Sequence, residues 1–260
     1  MSENPYAPPS ADVEAPTGGT LAGTGDFQIG QCVSDAWSTT WASFPTWLGV
    51  GIVATLMLLG SVVTVIGFFL VGPVLAYGVG VFLLGVHDGR AEFSDLWAGF
   101  RNYGSTLGSG LFFFFLMALL TYVGQIPVFL GMLTESTGMA VAGQLVNLVW
   151  AFVLVRFYFA FFIWVEGQAG PMEAIGRSWT MTGPVKWKMI GLMFVMGAIY
   201  AVPLVPLFAL FIPAIASDSG ALLGVGTLAA VILMTPTLMI GYLLWISAYR
   251  QVAGRPEVVR

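Results

Sequence analysis

Side chains able to carry chemistry are scarce in this chain. It has one cysteine, Cys32, and one histidine, His87. A disulfide needs a second thiol, and a structural zinc site needs about four Cys or His ligands. No Gly-x-x-x-x-Gly-Lys loop is present to cradle a phosphate. No catalytic constellation, metal or cofactor is therefore expected, and the chain reads as non-enzymatic. Glu166 and Glu173 are the nearest approach to a carboxylate pair.

The most informative polar residue is Arg156. It is the single charge in the apolar stretch 136–165. Ten residues separate it from Glu166, which at about 1.5 Å per residue is roughly 15 Å, near mid-bilayer. An arginine at that depth costs about 2.5–3.5 kcal/mol on the insertion scale, so something must compensate. One reading is a buried anion or lipid-phosphate contact. The favoured one is a side chain that snorkels to Glu166, Glu173 or Asp95 and ties the amphipathic segments to the bundle. Gln125, Gln144 and Asn147 could line a cavity with it, although bonding between helices is the commoner use of such amides. Pro127, Pro203, Pro206, Pro213 and Pro236 are expected to interrupt spans, as broken helices do at many transporter sites. Gly104-xxx-Gly108 and Gly220-xxx-Gly224 are candidate packing motifs.

The elements that position these residues follow from composition. Hydrophobic residues make up 58% of the 260 residues and charged ones 8%, against about 25% charged in a soluble domain. A soluble enzyme is excluded, and so is a disordered chain. A net charge of -4 with no basic stretch excludes a nucleic-acid partner. Residues 1–26, rich in Pro and Gly, read as a disordered cytoplasmic tail. Residues 36–86 lack any charge. They hold two spans, roughly 46–66 and 70–87, with breaks near Gly67 and Gly72-Pro73. A third span lies in 102–134, a fourth in 136–165, a fifth in 189–217 and a sixth in 219–249. In lipid each must be a helix, because a helix satisfies its own backbone groups. The fold class is an all-α polytopic membrane helical bundle with six transmembrane helices. The membrane domain covers 27–250, and 251–260 form a second cytoplasmic tail.

Orientation follows from the cations. Of the 9 Lys and Arg, all but Arg156 fall in the second–third loop, the fourth–fifth loop or the C-terminal tail. The opposite turns hold only Glu135 and Asp218. This asymmetry puts both termini on the cytoplasmic side of a bacterial inner membrane. Every tryptophan except Trp150 lies near that predicted boundary.

Ser34-Asp35-Ala36-Trp37 and Ser94-Asp95-Leu96-Trp97 match at three of four positions. A weaker copy is Met172-Glu173-Ala174-Ile175. Each segment has a helical apolar stripe: Val33, Trp37, Trp41 and Phe44; Phe93, Leu96, Trp97 and Phe100; and Met172, Ile175 and Trp179. Three short amphipathic interfacial helices are predicted, each followed by a hairpin of two spans, with repeats starting near 29, 92 and 171. Asp35, Asp95 and Glu173 become equivalent and, with Glu166 and Arg177, are candidate cytoplasmic interfacial contacts. Their plainer role is in first helical turns, in an i,i+4 pair between Glu173 and Arg177, or facing water.

The segment from Gly170-Pro171 through Glu173-Ala174, Arg177-Ser178-Trp179 and Gly183 to Lys186-Trp187 resembles a signature of uncharacterised bacterial six-span membrane proteins. The same signature occurs in the membrane domain of some glycerophosphodiester phosphodiesterases. Arg156-Phe157-Tyr158 and Phe93 to Phe100 are similar to further parts of it. The resemblance implies a six-span helical bundle. It does not imply phosphodiesterase activity, which in those enzymes belongs to a separate soluble barrel.

The expected function is a non-enzymatic membrane scaffold or accessory module that binds lipid or protein partners, including a second copy of itself. The alternative is a small-solute or lipid transporter using Arg156 and the proline-broken spans. A membrane enzyme acting on lipid headgroups is the third reading.

Overall fold

The computed structural model describes residues 25–254 except 63–64, 168 and 217–219. Of the expected tails, 1–24 and 255–260 lie outside the described residues, and 251–253, expected in the second tail, form the end of the last helix. Every described element is a helix. These are α1 (Ile29–Val62), α2 (Val65–His87), a 3-10 helix (Phe93–Trp97) running into α3 (Ala98–Arg101), α4 (Tyr103–Leu133) and α5 (Thr137–Leu154). A 3-10 turn (Val155–Phe157) then leads to α6 (Tyr158–Val165), α7 (Pro171–Thr182), α8 (Lys186–Ala216) and α9 (Gly220–Ala253). Counting α5 through α6 as one, 6 helices among the described residues are long and apolar enough to cross a membrane.

The core lies where α1, α2, α6, α8 and α9 meet. Cys32, Phe82, Phe159, Ile163, Leu192 and Tyr249 are among its fully buried members. Away from this core, α4, α5 and the second half of α8 carry many exposed apolar side chains. Lipid tails are as apolar as leucine, so such faces have no drive to bury each other.

Several expectations are corrected. Helix α1 is continuous, so the stretch carrying Trp37 and Trp41 is its first half and not a separate short helix. The boundary between the first two spans falls between Val62 and Val65, and Gly67 and Gly72-Pro73 lie inside α2. Helices also run on through Pro127, Pro203, Pro206, Pro213 and Pro236. In lipid, breaking a helix strands several backbone groups, whereas a proline strands one carbonyl. The one non-α interruption inside a described span is the Val155–Phe157 turn, which contains no proline.

The two remaining short segments lie lengthwise against the preceding span. The stretch 93–101 follows α2: a Cβ on Gly78 would overlap the Leu96 carbonyl, and one on Gly99 would overlap the Val74 carbonyl. Only glycine permits backbones this close. The Tyr103 hydroxyl then donates to the Leu70 carbonyl at 3.2 Å. Helix α7 packs on α6 and on the 3-10 turn before it, burying Ala174, Ser178 and Thr182, whereas Met172 and Trp179 of the expected stripe stay exposed. In each of the three segments the tryptophan is exposed (Trp37, Trp97, Trp179) and the residue before it is buried (Ala36, Leu96, Ser178). By contrast, Gly104, Gly108, Gly220 and Gly224 face open space, so those two spacings are not packing motifs here.

Candidate functional site

Three helix ends converge on a buried charge cluster. Arg250, in the last turn of α9, pairs through Nη1 with Glu166 Oε1 at the end of α6. Its Nη2 donates to Asp88 Oδ2, just past α2, at 2.8 Å. Arg90 Nη2 reaches the same Asp88 oxygen at 3.1 Å, and His87 Nδ1 lies 3.5 Å from Asp88 Oδ1. The Tyr249 hydroxyl donates to Glu166 Oε2 at 2.6 Å. The Arg250 side chain is 4% exposed and that of Glu166 8%. Burial raises the pKa of Asp88, but the His87 hydrogen bond and the charges of Arg250 and Arg90 outweigh it, leaving the carboxyl below its ordinary value. Two carboxylates against two guanidiniums cancel in formal charge. The cluster is a staple across three helices, with its oxygens committed to protein donors.

A polar seam joins α1 to α9 beside it. Ser247 Oγ donates to Asp35 Oδ2 at 3.2 Å, and Gln251 Nε2 donates to Ser247 Oγ at 3.3 Å. The Gln28 amide donates to Gln251 Oε1 at 2.9 Å. Asp26, before α1, pairs with Lys188 of α8, and this contact lowers its pKa.

Arg156 engages α7, and none of the three carboxylates expected for it. Its Nη2 donates to the Trp179 carbonyl at 2.5 Å, and its guanidinium carbon lies 3.4 Å from the Trp179 ring centroid. Its Nε donates to Thr182 Oγ1 at 3.4 Å. The Arg156 carbonyl accepts from Ser178 Oγ at 2.6 Å. That bond takes the carbonyl at the point where the helix shifts to 3-10 geometry.

The other candidate residues do not come together. Asp95 Oδ2 accepts from the Glu92 amide at 3.0 Å and caps its own short helix. Glu173 pairs with Arg177 at 2.6 Å on the surface of α7. Gln125, Gln144 and Asn147 sit on the α4–α5 hairpin, which glycines pack closely. Gly124 meets Trp150 and Asn147, Gly143 meets Val128, and Gly131 meets Ala140. Trp150 Nε1 donates to the Leu120 carbonyl at 2.6 Å.

A cavity of about 720 Å³ opens between the α4–α5 hairpin and the α8–α9 pair, floored by α2 and α6. Its lining holds phenylalanines of α2 and α4 (Phe69, Phe113), Ala76 and Pro73 of α2, and Met196 of α8. Among the described residues no charged one lines it, and neither Arg156 nor any of the three amides does. Its polar side chains include Tyr158, Tyr200 and Tyr242. Tyr158 stacks on Trp245 at 4.6 Å and 12°, and the Trp245 indole donates to Met196 Sδ at 3.0 Å. Sequence reading missed these tyrosines and the Asp88–Glu166–Arg250 cluster. The available signal was weak: a run of polar residues, Tyr249-Arg250-Gln251, inside the last turn of a span. Among the described residues no group of three or more His, Cys, Asp and Glu side chains is placed to hold a metal ion.

No protein-family model, no curated protein and no solved structure matches this chain.

Proposed function

We propose that this is a multi-pass protein of a bacterial inner membrane that works without catalysis, as an accessory module holding a lipid chain between its helical hairpins. The observation that carries the reading is the cavity of about 720 Å³, with no charged residue among the described ones lining it, within the part of the bundle formed by apolar helices. Its size falls in the range of small-ligand sites, about 300–1,000 Å³. The charged end, flanked by exposed Trp37, Trp97 and Trp179, suits the cytoplasmic headgroup region, where tryptophan and basic residues concentrate.

The other readings have less support. A path for a charged solute calls for polar groups along the cavity, and Arg156 is turned to α7. A headgroup enzyme calls for free titratable groups, and those that converge at Arg250 are engaged with one another.

The test is lipid extraction and mass spectrometry of protein purified in mild detergent, compared with Ala76→Phe, which adds a ring to the cavity wall. Wild type is expected to retain lipid and the variant to lose most of it. Wild type free of lipid, or equal retention in a monodisperse variant, overturns the reading.

A further inference from the structure

Beside Thr121 and the indoles of Trp164 and Trp245, the polar side chains of this mostly apolar cavity are a group of phenols. Tyr158 begins α6, Tyr200 lies in α8, and Tyr242 lies in α9; all three line the same space. The Tyr200 hydroxyl packs against Gly241, the residue before Tyr242, where a Cβ would overlap it. Glycine at that position therefore lets the α8 phenol come up against the α9 backbone beside the second phenol. The Tyr158 ring is held flat by Trp245, three residues beyond Tyr242 on the same helix.

These hydroxyls differ from that of Tyr249, which lies in the core, whereas Tyr158 and Tyr242 are exposed toward the cavity and the bilayer side. Tyr249 spends its hydroxyl on Glu166. Tyr158, Tyr200 and Tyr242 donate to no described residue, whereas a tyrosine in apolar surroundings ordinarily finds a partner. An unmade hydrogen bond in a medium without water carries a desolvation cost. A bound molecule that supplies acceptors would remove it. Among the described residues no cation lines the cavity to balance a phosphate, so an anionic headgroup would be desolvated there without compensation.

Resting on the lipid-holding reading above, we infer that the occupant is a long hydrocarbon chain ending in a small uncharged oxygen function, a hydroxyl or a carbonyl, which the Tyr158, Tyr200 and Tyr242 hydroxyls recognise. The chain fills the phenylalanine-lined part of the cavity and the oxygen lies among the phenols. Such a group occurs on a diacylglycerol and on a quinone. The two differ in that only the first also donates.

The experiment titrates detergent-solubilised full-length protein with dioleoylglycerol, decylubiquinone and dioleoylphosphatidylglycerol, read by native mass spectrometry. The uncharged probes are expected to bind more tightly than the phospholipid, and Ala76→Phe to abolish their binding. Tyr158→Phe, Tyr200→Phe and Tyr242→Phe each remove one hydroxyl and keep the ring. At least one is expected to weaken an uncharged probe by about 2- to 10-fold, the worth of one neutral hydrogen bond. The probe it weakens identifies the source of the oxygen. Phospholipid binding as tight as that of the uncharged probes overturns the inference. So does a triple Tyr→Phe variant that binds them unchanged while Ala76→Phe still blocks them; that outcome leaves the lipid-holding reading intact. Absence of binding by all three probes overturns both.

Discussion

The guanidinium carbon of Arg156 lies 3.4 Å from the centroid of the Trp179 ring while the same side chain donates to that residue's own carbonyl at 2.5 Å. One side chain thus holds α7 by both its ring and its backbone, at a point where α5 gives way to α6. A planar fork can do both at once, and a lysine cannot. Arg156→Ala and Arg156→Lys are both expected to lower stability, by about 1–3 kcal/mol for the lost charged hydrogen bond and stacking. Melting in detergent and protease cleavage between α6 and α7 measure it. A lysine variant as stable as wild type would remove the bidentate account.

The Arg250 cluster makes a sharper prediction. Arg250→Met leaves Glu166 and Asp88 buried without their shared cation, and removing one partner of a buried pair costs about 3–5 kcal/mol. Adding Glu166→Gln and Asp88→Asn to that variant removes the stranded charges and is expected to restore much of the melting temperature. If the triple variant is no better than Arg250→Met, packing and not charge sustains this corner.

The same cluster sets a pH dependence. The folded Asp88 carboxyl titrates below its ordinary value, so the unfolded chain binds the proton more readily than the folded one. Its contribution is fully present above the ordinary carboxylate range, about pH 4. It is lost as pH falls through the lower folded value. Unfolding in detergent is expected to show near-constant stability from neutral pH down to that range and a decline below it, with a shallower decline in Asp88→Asn. An identical slope in the two proteins counts against the assignment.

Glycines separate real contacts from apparent motifs. Gly78→Ala and Gly99→Ala each push a Cβ onto a backbone carbonyl of the facing segment, and overpacking of this kind costs about 1–3 kcal/mol. Gly108→Ala, inside α4, meets open space and is expected to be neutral or slightly stabilising, since alanine favours a helix interior over glycine by up to about 1 kcal/mol. Thermal melts of the three variants compare these directly.

Topology is tested with single cysteines at Glu135 and Lys186 in a Cys32→Ala background. An impermeant thiol reagent added outside intact cells is expected to label the first and spare the second. The reverse pattern overturns the cytoplasmic orientation.

What could be read along the chain was whatever depends on local composition. Membership of a span is a property of about 20 consecutive residues, so the six apolar helices and the clustering of cations at one end are legible without any contact. Proline positions misled because lipid changes the cost of breaking a helix. The Gly104 and Gly220 spacings misled because a motif does not say which helix face meets a neighbour.

Tertiary structure decided the rest. Arg250 and Asp88 stand 162 positions apart, and nothing in either neighbourhood announces the other. Arg156 was visible as a buried charge, yet its partners proved to be a ring, a carbonyl and a hydroxyl. These are groups every helix offers, and they become specific only when α7 is laid against the turn. The cavity belongs to no single segment. Its walls come from α1, α2, α4, α5, α6, α8 and α9 together, because an empty volume is defined by the distance between elements, and sequence sets only what each element presents to it.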